Sequence, residues 1–393
     1  MAKADAATTL ETEPARFPDA RFIGSEIYRH SSYGGWHPLR IPRVSTTMDL
    51  SRALGWLGPG NYITSPRAKA AALSHWHDPA YLAALQRAEE TGAVDAATRA
   101  RHNIGTHANP IFPEVWRRPA TSAGAALMAA EMLAAPGRIF APACGTHHGL
   151  PDRANGFCYL NDPVLAILAL RRQGLRRVAY VDLDAHHCDG VAHAFAADAD
   201  VLLISTHEEN RWPRTGALTD AGAGAGLGAM FNLPLPAGVN DDAFALITDR
   251  LILPAVTAFR PDALVIQCGS DALADDPQSR LMLSNRALWA TLAALMPLSD
   301  RVLVTGGGGY NPWSVGRAWT GLWGVVAGFD VPDVLPAPAE AVLRALSWPQ
   351  SRLGRNPPAH WFTTLADAPH HGPIPDAVRA RLDVLTARLA VWV

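Results

Sequence analysis

The chain predicts an α/β fold in which a mainly parallel sheet is covered by helices on both faces. Three observations predict it. Short β-branched or aliphatic runs alternate with longer helical patterns, the runs are apolar at nearly every position, and four of them lead directly into a polar or glycine cluster. A strand apolar on both sides is buried on both sides, which in a strand–helix alternation means a parallel sheet between helix layers.

The expected strands cover residues 138–143, 177–183, 200–206, 262–268 and 301–305. Helical patterns occupy 121–135, 162–173, 241–259 and 285–296. At Asp162-Pro163 the carboxylate can cap and the proline suits a first helical turn. Residues 31–43, rich in Gly, His and Pro, and residues 208–227, with Arg211-Trp212-Pro213 and a glycine-rich run, are loops that can carry function. The chain ends in an amphipathic helix over 375–391, with Val378, Leu382, Leu385 and Leu389 on one face, a stripe suited to packing on its own domain. The expected organisation is a loose tail over 1–20, one domain over 21–330 and an extension over 331–393 packed on that domain.

Of the 393 residues, 49% are hydrophobic and 18% charged, ample for a large core. The net charge is −2 and no basic block occurs, so direct binding to nucleic acid or an anionic membrane is not expected. The most apolar stretch, 318–329, is too short to cross a bilayer, and the first twenty residues lack the apolar centre of a secretory signal. Cys144, Cys158, Cys188 and Cys268 form no C-x-x-C pair, which argues against a disulfide framework or thiolate zinc site. The cytoplasm is the default compartment, and the oligomeric state is not encoded legibly.

Ligands bind beyond the carboxyl ends of parallel strands. There this sequence places Cys144-Gly145-Thr146-His147-His148, Asp184-Ala185-His186-His187-Cys188-Asp189-Gly190, Gly269-Ser270-Asp271 and Gly306–Tyr310. Asp182, Asp184 and His186 alternate at period two, so their side chains leave an extended strand on one side. Two readings stand: a metal seat with a carboxylate behind it, or an acidic strand end with a core histidine. Oxygen and nitrogen ligands suit zinc, with iron(II) and cobalt chemically close, and three ligands leave a position for water. One histidine of His147-His148 is a candidate general base and acid, with Asp182 and Asp189 available to orient it. The glycines are either a tight turn or a backbone cleared for substrate; no Lys-Ser/Thr follows to make a phosphate loop. Tyr310 can donate its phenol to an oxyanion.

The ordered set Thr146-His147-His148, Gly156–Asp162, Val181–His187, Gly269–Asp271 and Gly306–Tyr310 resembles the histone deacetylase superfamily of zinc-dependent deacetylases, roughly from His37 to Gly328. The resemblance implies a single three-layer α/β/α, arginase-like domain. It implies Asp184, His186 and Asp271 as ligands of one catalytic Zn2+. It makes His148 the base and acid with Asp189, His147 its neighbour with Asp182, and Tyr310 the group that polarises the amide. Gly156, Phe157, Trp212 and Gly308 would line the substrate channel, and Arg43 would be an internal arginine. A structural K+ would sit near Asp182, Asp184, His186, Ser205 and Thr206.

The implied reaction is hydrolysis of acetyl or related acyl groups from the side-chain amine of acyl-lysine in proteins or peptides by metal-activated water. The alternatives are a hydrolase of small acylated amines such as acetylpolyamines and a non-catalytic acyl-binding module. Three departures from the family pattern bear on the choice. Cys188 replaces a glycine, Trp212 replaces a phenylalanine, and the rim stretch 105–110 has no acid to grip a peptide backbone, leaving His107 or Asn109 as substitutes.

Overall fold

The computed structural model describes residues 15–390. Eight strands form one sheet: β1 (Ala20–Gly24), β2 (Tyr62–Thr64), β3 (Gly137–Ala141), β4 (Val178–Asp182), β5 (Val201–Glu208), β6 (Met230–Leu235), β7 (Ala263–Gln267) and β8 (Arg301–Thr305). Their order is β2-β1-β3-β8-β7-β4-β5-β6, and every pairing is parallel. Successive strand residues enter different cores, as a pleat requires. Ala179, Val181, Leu264, Ile266 and Val304 pack in one hydrophobic cluster, while Val178, Tyr180, Val265 and Leu303 pack in the other.

This order positions the site. β3, β8, β7 and β4 are consecutive in the middle of the sheet, so four loops far apart in sequence leave neighbouring strand ends on one edge. Those are the segments that carry His147, Tyr310, Asp271 and Asp184.

Helices flank the sheet at Arg117–Met132, Asp162–Arg172, Asn285–Leu295 and Pro312–Ala327. The first begins earlier than the apolar pattern indicated. The segment over 241–259 is helical throughout but holds a π turn, Thr248–Ile252, just before Pro254, which has no N–H to donate. Asp162 is not the cap of its helix. Asn161 is, its side chain accepting from Val164 N, and Asp162 reaches back to accept from Gly145 N at 2.6 Å and from the hydroxyls of Thr146 and Ser122. A buried carboxylate thereby ties the loop after β3 to the helix.

From residue 331 onward, Leu335, Leu343, Trp361, Leu365 and the helix Asp376–Leu389 pack into the same core as one face of the sheet, the helix through Val378, Leu382, Leu385 and Leu389. Val391 of the expected helix and residues 1–14 of the expected tail lie outside the described residues, and Ala20 already opens β1. Among the described residues no helix is long and apolar enough to cross a membrane.

Candidate active site

Asp184 and His186 are placed by a chain of turns rather than by the pleat. β4 stops at Asp182, Asp182 Oδ1 accepts from Asp184 N at 3.1 Å, and Asp184 Oδ1 accepts from His186 N at 3.0 Å. Each short acid fixes the backbone two residues on, and the three side chains gather for that reason. Asp271 arrives from the 3-10 turn Ser270–Ala272 after β7, where its Oδ1 accepts from Ala185 N at 2.9 Å. His186 Nδ1 then lies 2.9 Å from Asp271 Oδ2 and 3.2 Å from Asp184 Oδ1, and one ligand atom from each residue falls within 4.8 Å of the others.

The electrostatics of this group are those of a site that could hold a cation. Asp184 is 1% exposed and Asp271 0% exposed. Burial raises the Asp271 carboxyl and Asp184 beside it raises it further, whereas His147 and His186 outweigh burial at Asp184 and hold it well below the usual range. Burial opposes protonation of His186, but the two carboxylates overcome it and lift its pKa to about 10. Buried carboxylates need a positive partner; beside the two histidines, a divalent ion would suit the oxygen and nitrogen donors present.

The glycines after β8 press on these carboxylates. Gly308 N donates to Asp184 Oδ2 at 2.7 Å, and Gln267 Nε2 donates to the same oxygen at 2.9 Å. A Cβ on Gly308 would collide with Asp271 Oδ2 and stand 2.9 Å from Asp184 Oδ2. Gly308, expected along the channel, therefore packs directly against the carboxylates of Asp184 and Asp271. Gly308→Ala is expected to weaken metal binding at least about tenfold, the scale at which losing the support of a ligand is felt. Isothermal titration of Co2+ into metal-free protein checks this, and wild-type affinity in the variant refutes it.

Two histidine–carboxylate pairs stand beside the group. His147 Nδ1 meets Asp182 Oδ2 at 2.6 Å, and His148 Nδ1 meets Asp189 Oδ1 at 2.6 Å; the two Nε2 atoms are 3.0 Å apart. The shifts at the two rings run in opposite directions. At His147 the carboxylates Asp182 and Asp184 outweigh burial and raise the pKa to about 9. At His148 burial, with the charge of His147, lowers it to about 4 despite Asp189. The shifts thus favour a neutral His148, its Nδ1 facing Asp189, beside a charged His147.

Partners that the sequence reading missed hold this arrangement. Tyr180 Oη donates to Asp182 Oδ2 at 2.6 Å, Asn155 Nδ2 to Asp189 Oδ2 at 2.9 Å, and Gln267 spans Asp184 and the His147 side. Tyr180 was within reach, since it continues the period-two series of Asp182. Gln267 carried only the signal of an amide ending an apolar strand. Beside the ligand group, Asp182 pairs with Ser205 in the β4–β5 register, and Thr206 Oγ1 donates to Asp182 O at 3.3 Å.

A cleft of about 270 Å³ leads to this floor, lined by Gly156, Phe157, Trp212, His148, His186, Tyr310 and Gln278 among others. Gly156 and Phe157 both have positive φ, 51° and 69°. Trp212 packs edge-on against His148, centroids 4.6 Å apart, directly over Gly156, where a Cβ would strike the indole. The larger ring thus fits because its neighbour has no side chain. Tyr310 N donates to Asp276 Oδ2 at 2.6 Å; burial followed by Asp271 pushes that carboxyl up to about 8. The Tyr310 hydroxyl is pushed far above the usual phenol range by burial and then by Asp271 and Asp184. Arg43 Nη1 donates to Gly307 O at 2.6 Å with its guanidinium over Trp319, deep beneath the site. Asn109 is not a rim residue: it is fully buried and its Oδ1 accepts from Phe157 N at 3.0 Å, so of the two rim substitutes only His107 is exposed.

The chain matches the histone deacetylase domain over residues 37–326. It is 32% identical to the acetoin utilization protein AcuC of Bacillus subtilis over 81% of this chain and 84% of that protein. It is 33% identical to histone deacetylase 8 of Xenopus tropicalis over 76% of this chain and 81% of that protein. The crystal structure of an HDAC homolog from Aquifex aeolicus superposes with a TM-score of 0.89 at 32% identity, covering 94% of this chain and all (100%) of that one, and an HDAC homolog complexed with SAHA gives the same values. Such likeness places the molecule among the α/β amide hydrolases that depend on a metal ion. The chain belongs to the histone deacetylase family, enzymes that hydrolyse acetyl-amide bonds.

Proposed function

We propose that this deacetylase uses zinc, held by Asp184, His186 and Asp271, to remove acetyl or related acyl groups from the side-chain amine of acyl-lysine in a peptide or protein. The observation that carries the reading is the buried ligand group with the His148 imidazole and the Tyr310 phenol beside it on one cleft. When bound, the ion supplies a Lewis acid for the acyl oxygen and acidifies water. The residues do the rest. His148, neutral and oriented by Asp189, accepts a proton from the attacking water and returns it to the departing amine. The charge on His147, balanced by Asp182, stays beside the developing negative charge. Tyr310 keeps its proton and donates it as a hydrogen bond to the tetrahedral oxyanion. Gly156, Phe157 and Trp212 hold the alkyl chain of the amine. A K+ held by Asp182, Asp184, His186, Ser205 and Thr206 is a further part of the proposal, supported by the adjacency of β4 and β5 there.

A second reading, hydrolysis of small acylated amines, is kept because stretch 105–110 has no acid and Asn109 is engaged with Phe157. The test is metal-reconstituted protein assayed side by side on an acetyl-lysine peptide, an acetylpolyamine and longer-acyl peptides. Turnover of the peptide that vanishes on chelation is expected, and Tyr310→Phe should cost about 10²–10³ in kcat with the fold intact. Turnover that survives metal stripping, or near-normal kinetics of Tyr310→Phe, refutes the assignment.

A further inference from the structure

The cleft does not end at its mouth. A second groove of about 220 Å³ continues from it, sharing Gln278 and Tyr310, and is walled by Trp36, Pro38, Pro277 and Trp348 with Arg40 beside them. Trp36 is 84% exposed, and with Trp348 it gives the groove an aromatic lining. Neither lining contains a single Asp or Glu, and Arg40 is the one Lys or Arg in the two.

Arg40 is held in place. It closes the short 3-10 turn Pro38–Arg40, which His37 caps by accepting from Leu39 N at 3.0 Å, and its Nη1 donates to Gly35 O at 2.7 Å. His37 is buried, stacked on Tyr33 at 4.6 Å and edge-on to the channel residue Phe157 at 4.5 Å. The segment carrying Arg40 is therefore anchored to the channel wall. The His37 imidazole is kept neutral by burial, its pKa lowered to about 4, and adds no charge there.

From this continuity and charge we infer that the groove is a subsite for the part of the substrate beyond the scissile amine, and that it selects a flanking carboxylate. The inference rests on the deacetylase reading above and narrows its substrate class. A substrate leaving the channel past Tyr310 runs between Trp36 and Trp348 and brings its anionic group to the Arg40 guanidinium. A cationic flank, whether a basic tail or a polyamine, meets that same guanidinium and no acid.

The test uses metal-loaded full-length protein and three probes built on one Nα-blocked Nε-acetyl-lysine: the free carboxylate, its primary amide, and its aminoethyl amide, which is cationic. The expected order of kcat/KM is carboxylate, then amide, then cation. Each step is about threefold, as an exposed charge pair gives, is carried mainly by KM and shrinks in high salt. Arg40→Lys keeps the order, Arg40→Gln flattens it, and Arg40→Glu reverses it. Turnover of all three probes without a charge order, or an order that Arg40→Glu leaves unchanged, overturns this inference while the deacetylase reading stands. Turnover of none overturns that reading, and this one with it.

Discussion

Asp271→Asn is expected to abolish metal-dependent stabilisation and deacetylation together, with the metal-free protein still folded. In the wild-type chain Asp271 shares a dry site with Asp184, and burial followed by that neighbour raises its carboxyl above the usual value. A carboxyl whose folded pKa is raised binds its proton more tightly folded than unfolded. Its contribution to stability is therefore lost as pH rises from the unfolded value through the folded one, and at neutral pH its ionised form is a net cost. The isosteric amide removes that charge, which is also the main partner lifting the His186 pKa, and with it one of the three proposed ligands. For wild-type protein, an ion at about 100 times its Kd adds about 2.7 kcal/mol of stability; the variant should show none of it. Thermal melts with and without Zn2+ or Co2+ measure both effects. A metal-induced shift of wild-type size in Asp271→Asn would remove this residue from the ligand set.

The second large effect belongs to His148. His148→Ala should lower kcat by about 10²–10⁴ while metal affinity persists, because general acid–base transfer is lost and the ligand group is untouched. The same variant changes the acid limb of stability. His148 is buried neutral with its pKa lowered from 6.5 to about 4, so the unfolded chain binds the extra proton first. Stability is full above about 6.5 and falls as pH drops toward about 4. His148→Ala lacks that part of the fall, so its melting temperature should decline less than that of wild type between those two values. Equal declines would mean that His148 is not held neutral, and an unchanged kcat would end its catalytic assignment.

The central strands β3, β4, β5, β7 and β8 were legible because burial on both faces writes a continuous apolar run. β6 was not, since Asn232 and Pro234 interrupt it; a proline is tolerated there because β6 is an edge strand. The three-residue β2, at the other edge, is too short to leave a pattern. In the site, Asp184 and His186 could be read from local spacing. Asp271 could not, because its nearness to them is set by β7 lying next to β4, and only strand order and the family resemblance point to it. The rim was the least legible part. Asn109 looked available in sequence, but its hydrogen bond to Phe157 N depends on a contact 48 residues away.

The central strand order has a consequence for how such an enzyme diversifies. The reacting groups stand just past the ends of four neighbouring strands, tied to one another by hydrogen bonds. The mouth is made of loops: Trp36, His37 and Arg40 from one, Trp212 from another, Pro277 and Gln278 from a third, Trp348 from a fourth. Chemistry and selectivity are therefore inherited separately. Grafting a relative's residues 34–40 onto this scaffold, with Arg43 kept, should transplant that relative's taste in substrates while the hydrolytic machinery beneath runs on unaltered.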